Sequence, residues 1–113
     1  MPALIPRMGT TWLRTEEVRP DSEVYVCISI RQEDDHFRES NFASIGFFED
    51  GNKKEDDSIF TWQEENLVYN DKEDCNYVKK GWYEANVYSK ETVVIPDRVI
   101  AWMPLPKPYR NTE

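Results

Sequence analysis

The stretch Val24-Tyr25-Val26-Cys27-Ile28-Ser29-Ile30 decides the fold. In an extended chain Val24, Val26, Ile28 and Ile30 point to one side, and Tyr25, Cys27 and Ser29 to the other. β-Branched residues dominate the first set and suit a half-buried pleated surface. No segment of the chain shows a long i, i+3, i+4 apolar pattern, so helices are not the framework.

Reading outward, 41–49 is a second strand, with Phe42, Ser44, Gly46 and Phe48 alternating with Ala43, Ile45 and Phe47. Gly46 marks a bulge or a close backbone approach. Glu49, Asp50, Gly51 and Asn52 are turn residues. A third strand is expected at 59–63, with Phe60 and Trp62 on one face. Residues 82–88 follow, with Tyr83, Ala85 and Val87 on one face. A turn through Ser89, Lys90 and Glu91 leads into 92–95. Pro96 and Asp97 interrupt before the last strand at 99–103. Residues 31–39, 53–58 and 70–76 read as polar loops, and a short helix is allowed near 15–18 or 64–68. The fold class expected is mainly β: a single small antiparallel sheet or partly open barrel of about five or six strands. Residues 1–11 form an arm, 12–108 the domain and 109–113 a tail. Pro104, Pro106 and Pro108 stiffen the chain end, read as a strap that blunts a sheet edge.

The chain has 113 residues, enough for one core and too few for two. It carries 22 acidic and 14 basic side chains, a net charge of -8. That balance disfavours direct nucleic-acid binding, which needs surplus Lys and Arg. No apolar run approaches the length of a membrane span, and the first residues lack a signal-peptide layout. A cytoplasmic protein is expected. The charge is concentrated: residues 31–76 hold 14 acids and 5 bases. Three loops carry most of it, through Glu33, Asp34 and Asp35, through Glu55, Asp56 and Asp57, and through Asp71, Glu73 and Asp74. These nine are the candidate contact residues for a partner with a basic surface, since opposite charge steers encounter. The plainer reading is a set of solvated loops that keep a small domain soluble.

Two cysteines, Cys27 and Cys75, and one histidine, His36, match no spaced metal motif. Cys27 is expected in a strand and Cys75 in a loop, both reduced. No acidic loop has the ligand and glycine spacing of a calcium-binding EF-hand. No cofactor, metal or catalytic residue is therefore assigned. Trp12, Trp82 and Trp102 are read as core residues that cluster together.

The ending Trp102-Met103-Pro104-Leu105-Pro106 resembles the closing motif of a small phage and prophage family, number 551 among domains of unknown function. Trp12, Pro20-Asp21, Val24-Tyr25-Val26 and Gly81-Trp82-Tyr83 fit the same resemblance. It covers both ends of the chain and not the acidic middle, and Ala101 stands where members commonly have His. The resemblance implies a phage accessory protein with no catalytic residues to carry over. With the acidic loops, it leads to the expectation of a non-enzymatic protein that binds a host protein in the bacterial cytoplasm. One form of it inhibits a nucleic-acid-binding defence enzyme such as a CRISPR effector. The alternatives are a small hydrolase or metal-dependent enzyme using His36, and a virion or assembly component.

Overall fold

The computed structural model describes residues 11–33 and 39–107, without the side chains of Glu33 and Glu39. Eight strands form in chain order: β1 Leu13–Arg14, β2 Val26–Glu33, β3 Glu39–Glu49, β4 Leu67–Asn70, β5 Cys75–Val78, β6 Gly81–Ala85, β7 Thr92–Val94 and β8 Arg98–Pro104. Six make one antiparallel sheet in the order β1-β8-β2-β3-β6-β7, and β4 and β5 make a separate hairpin. The mainly-β expectation holds.

β3 joins the two halves of the large sheet. Its residues from Glu39 to Gly46 pair with β2, whereas Phe47, Phe48 and Glu49 pair with Tyr83, Trp82 and Gly81 of β6. The connection from β7 to β8 shows that this sheet is curled. In the sheet order β2, β3 and β6 lie between them, so a flat sheet would hold β7 and β8 about 19 Å apart. The chain from Val94 to Arg98 spans at most about 14 Å. Within it, the Ile95 N–H donates to Trp82 O of β6, and Gln32 of β2 donates to Asp97 Oδ2. Three residues thus bridge from β6 to β2 and fold the sheet towards a partly open barrel.

The two faces of the sheet differ in chemistry. The inner face gathers Val26, Ile28, Ile30, Ile95 and Val99, with Trp82 and Trp102 packed beside them. A register shift between Ser29 and Ile30 keeps Ile30 opposite Val99. The other face holds Phe47 and Tyr83, covered by Phe60, Trp62 and Val78 from the 53–78 segment. Phe60 stacks on Phe47 with centroids 4.1 Å apart, and Trp62 meets Tyr83 edge-on at 4.8 Å.

Several sequence expectations need correction. Residues 31–39 are not all loop: β2 runs on to Glu33 and β3 begins at Glu39, because hairpin pairing satisfies the backbone whatever the side-chain polarity. Val24 lies outside β2 and is exposed. The 59–63 segment is not a strand. Phe60 and Trp62 do point inward, but only Thr61 bridges to Glu91, so side-chain burial rather than sheet pairing holds the segment. β6 stops at Ala85, leaving Val87 exposed in the turn. Cys75 starts β5 rather than lying in a loop. The short helix allowed near 64–68 is present as the 3-10 turn Glu64–Asn66; the other 3-10 turn among the described residues, Glu55–Asp57, lies in a segment read as loop. Trp12 is 40% exposed and does not join a tryptophan cluster, whereas Trp62 is a core ring. The described prolines strap no edge. Pro104 pairs with Val26 inside the sheet, and β1 covers β8, its Leu13 opposite Trp102. Pro108 lies outside the described residues.

Gly46 is required by close approach, as its place in β3 predicts. A Cβ there would sit 2.7 Å from the Tyr83 carbonyl oxygen and 2.9 Å from Ile28 Cδ1. One neighbour is backbone and cannot rotate away. Gly46→Ala is expected to destabilise the protein by about 1–3 kcal/mol in urea unfolding, the usual cost of overpacking.

Candidate functional site

The 53–78 segment returns on itself and brings two acidic loops together. Lys54 forms an antiparallel bridge with Tyr77, and the Val78 N–H donates to Lys53 O. The 3-10 turn carrying Glu55, Asp56 and Asp57 thereby lies against β5. Asn76 Nδ2 donates to Glu55 Oε1 at 3.1 Å, and Lys54 Nζ is 3.7 Å from Glu73 Oε2. Lys54, Glu55, Asp56, Asp74, Cys75 and Asn76 line a cleft of about 240 Å³ between the two loops.

The β4–β5 turn is built locally. Asn70 Oδ1 accepts the N–H groups of Lys72 and Glu73, and Asp74 takes a left-handed φ of 52°. An Asn at the start of such a turn replaces the missing backbone partners. Tyr69 OH donates to Asp74 Oδ1 at 2.6 Å, and Tyr77 OH donates to Glu73. The bond to Glu73 pushes the Tyr77 phenol up to about 12 and holds the Glu73 carboxyl below its usual range. These hydroxyls fix the direction of two carboxylates.

The third acidic loop is placed differently. Glu33 ends β2 opposite Glu39, its side chain lying with Asp34, Asp35 and His36 outside the described residues. From Glu39 the extended strand runs for about 33 Å to Glu49, where the aromatic cover begins. Six of the nine candidate residues, Glu55, Asp56, Asp57, Asp71, Glu73 and Asp74, therefore share one region through β5, and Glu33 starts a hairpin at the other end of β3.

Among the described residues, no three carboxyl, thiol or imidazole groups converge as metal ligands. Cys27 and Cys75 are free thiols on different sheets. Burial, with Glu73 adding to it, pushes the Cys75 thiol up, opposite to the shift of an activated nucleophile. No helix among the described residues is long and apolar enough to cross a membrane.

Sequence reading ended the second strand at Glu49 and counted that residue with the turn that follows, so its burial was missed. Glu49 is fully buried as the last residue of β3. Its place in the alternation Ile45, Phe47, Glu49 was the available signal. Neither carboxyl oxygen reaches a hydrogen-bond partner at ordinary geometry. Burial first, and the neighbouring Glu23 carboxyl second, raise it from 4.5 to about 9, with Asp50 adding and Lys53 opposing. Glu23 is itself constrained, with φ at 63° and its N–H donating to Phe48 O. Its carboxylate accepts Ser58 Oγ at 2.5 Å and the Ile59 N–H at 3.1 Å, while Ser58 Oγ accepts Trp62 Nε1 at 2.7 Å. Glu23 thus fastens the aromatic cover directly above Glu49. Two neighbouring carboxyls, one of them raised by burial, resemble an acid–base pair. Glu49 is sealed from solvent, however, so a substrate has no route to it.

Comparison with protein-family models, with curated proteins and with solved structures finds no match.

Glu49 makes stability depend on pH with a definite sign. The native state keeps a proton that the unfolded chain releases near pH 4.5. Its stabilising contribution is complete below that value and is lost as pH rises towards about 9. Glu49→Gln is expected to remove this slope. In urea unfolding at pH 5 and pH 8, the variant's gain over the parent should grow by at least about 1 kcal/mol. An equal offset at both pH values would contradict a protonated Glu49.

Proposed function

We propose that this is a non-enzymatic binding protein whose acidic face, formed by the 55–57 turn and the β4–β5 hairpin, occupies the basic groove of a partner protein. The observation that carries this reading is the union of two acidic loops across β5. Six carboxylates share one region there, and Lys54 is the one lysine among the described residues in an ion pair with any of them. Clustered like charge costs a small domain stability, and Asp56, Asp57 and Asp71 offset none of it with a hydrogen bond or ion pair within the described fold. Facing a basic groove, the same cluster steers association and substitutes for phosphates. A nucleic-acid-binding protein is the partner class with such a groove. Joined to the phage-family resemblance of the termini, the reading extends to a host defence enzyme, such as a CRISPR effector, held inactive by occupation of its nucleic-acid channel.

Asp56, Asp57 and Asp71 are exposed, and their side chains have no hydrogen bond or ion pair within the described fold, so reversing them leaves its framework intact. The test is capture from bacterial lysate at low and high salt, read by mass spectrometry, with the parent and an Asp56→Lys, Asp57→Lys, Asp71→Lys variant. A basic nucleic-acid-binding protein should be retained by the parent at low salt and released at high salt. The variant should bind that protein at least about tenfold more weakly. Equal retention by parent and variant would overturn the electrostatic reading.

A further inference from the structure

An open concavity lies beside the acidic face and has the opposite charge. It encloses about 740 Å³ between the turn at Gly51 and Asn52, the β4–β5 hairpin and the chain entering β6. That volume is in the range of small-molecule sites, about 300–1,000 Å³. Lys72, Lys79 and Lys80 line it against a single acid, Asp71. Among the described residues, none of the three ammonium groups has a carboxylate at ion-pair distance. Three uncompensated cations in one groove are unexpected in a chain of net charge -8.

The lysines stand on fixed backbone. The Lys79 N–H donates to Asn66 O, and Lys79 O accepts the Tyr83 hydroxyl at 2.9 Å, which ties the residue to the buried aromatic cluster. Lys80 packs on the left-handed turn at Gly51, its Cβ 3.5 Å from where a Gly51 Cβ would be. Lys72 sits in the turn whose N–H groups Asn70 accepts. Val68, Tyr69 and Tyr77 supply apolar and aromatic wall. Tyr69 is anchored through its hydroxyl, and its ring makes no ring–ring contact among the described residues.

We infer that this groove binds a small phosphorylated molecule bearing a planar ring, of the chemical class of a nucleoside diphosphate. Lysine ammoniums are point-charge partners for phosphate oxygens; the adjacent Lys79 and Lys80 supply two, and Lys72 lines the same groove from the turn end of the hairpin. The free face of Tyr69 offers a stacking surface for the ring. The site adjoins the acidic face and shares Asp71 with it, while its lysines and Tyr69 are not among the residues proposed to meet the partner protein.

Isothermal titration of the full chain with ADP, pyrophosphate and adenosine tests this. ADP should bind more tightly than either fragment, because only ADP engages lysines and ring surface together. Lys79→Glu with Lys80→Glu should weaken ADP at least about tenfold, and Tyr69→Ala should weaken ADP while leaving pyrophosphate unchanged. Lys107→Glu, an exposed change of equal sign outside the groove, should leave ADP binding as it is. Unchanged thermal unfolding would show that the variants remain folded. No ADP binding at millimolar concentration, or ADP binding indifferent to reversal of Lys79 and Lys80, would overturn the inference.

Discussion

The stacking of Phe60 on Phe47, centroids 4.1 Å apart, fixes a segment that has little else to hold it. Between β3 and β6 the chain makes only two 3-10 turns and a two-stranded hairpin. Such a hairpin is marginal alone in water. Phe47 meets four rings, those of Tyr25, Phe60, Trp62 and Tyr83, and so joins β3, β6, the covering segment and the chain entering β2. Truncating a buried ring of this kind costs about 3–5 kcal/mol. Against a total stability of about 5–15 kcal/mol, that makes the cluster decisive for placing the segment. Ser58 and Glu23 then set its register, because Trp62 Nε1 would otherwise lack a partner within the cluster.

The surface chemistry depends on the same cover. The acidic turn, the β4–β5 hairpin and the lysine pair all lie on the chain between Phe60 and Tyr83 or next to it. Loosening the aromatic contact would separate the acidic loops from each other, and Lys79 from its carbonyl bond to Tyr83. Glu49 adds a second constraint under the cover. A buried carboxyl with unpartnered oxygens tolerates protonation and resists charge. The contribution of Glu49 to holding the cover is therefore greatest below pH 4.5 and declines as pH rises towards about 9.

The β framework was legible because period-two alternation is a direct image of a two-faced sheet. Val26, Ile28 and Ile30 are buried on one face as their spacing predicts, and Gly46 lies at the close approach its position implies. Phe60 and Trp62 showed the same alternation but belong to no strand, since inward-facing rings need burial and not a hydrogen-bonded neighbour. Charge clustering was legible as composition, while the meeting of the 55–57 and 71–74 loops depends on the Lys54–Tyr77 bridge, which no local pattern encodes. Glu49 went unseen because polarity was weighed above parity. The lysine groove went unseen because Lys72, in the β4–β5 turn, and Lys79–Lys80, beyond the open end of that hairpin, line one concavity only through the tertiary fold.

Acids and lysines lie close together on one hairpin, yet most of them remain unpaired. Exposed ion pairs contribute little, about 0–1 kcal/mol each, so pairing Lys72, Lys79 and Lys80 with nearby acids would bring the fold only a small gain. Stability alone therefore does not account for the segregation. What segregation changes is the field outside the molecule: mixed charges cancel within about 8–10 Å at physiological salt, whereas separated patches persist as distinct regions. Tyr69 and Tyr77 reinforce the pattern by donating to Asp74 and Glu73, so that phenols satisfy those carboxylates and the lysines remain free to face the groove. The hairpin is thus arranged to hold two signs of charge apart on a fixed scaffold, a property with consequences for what the protein binds and almost none for how it folds.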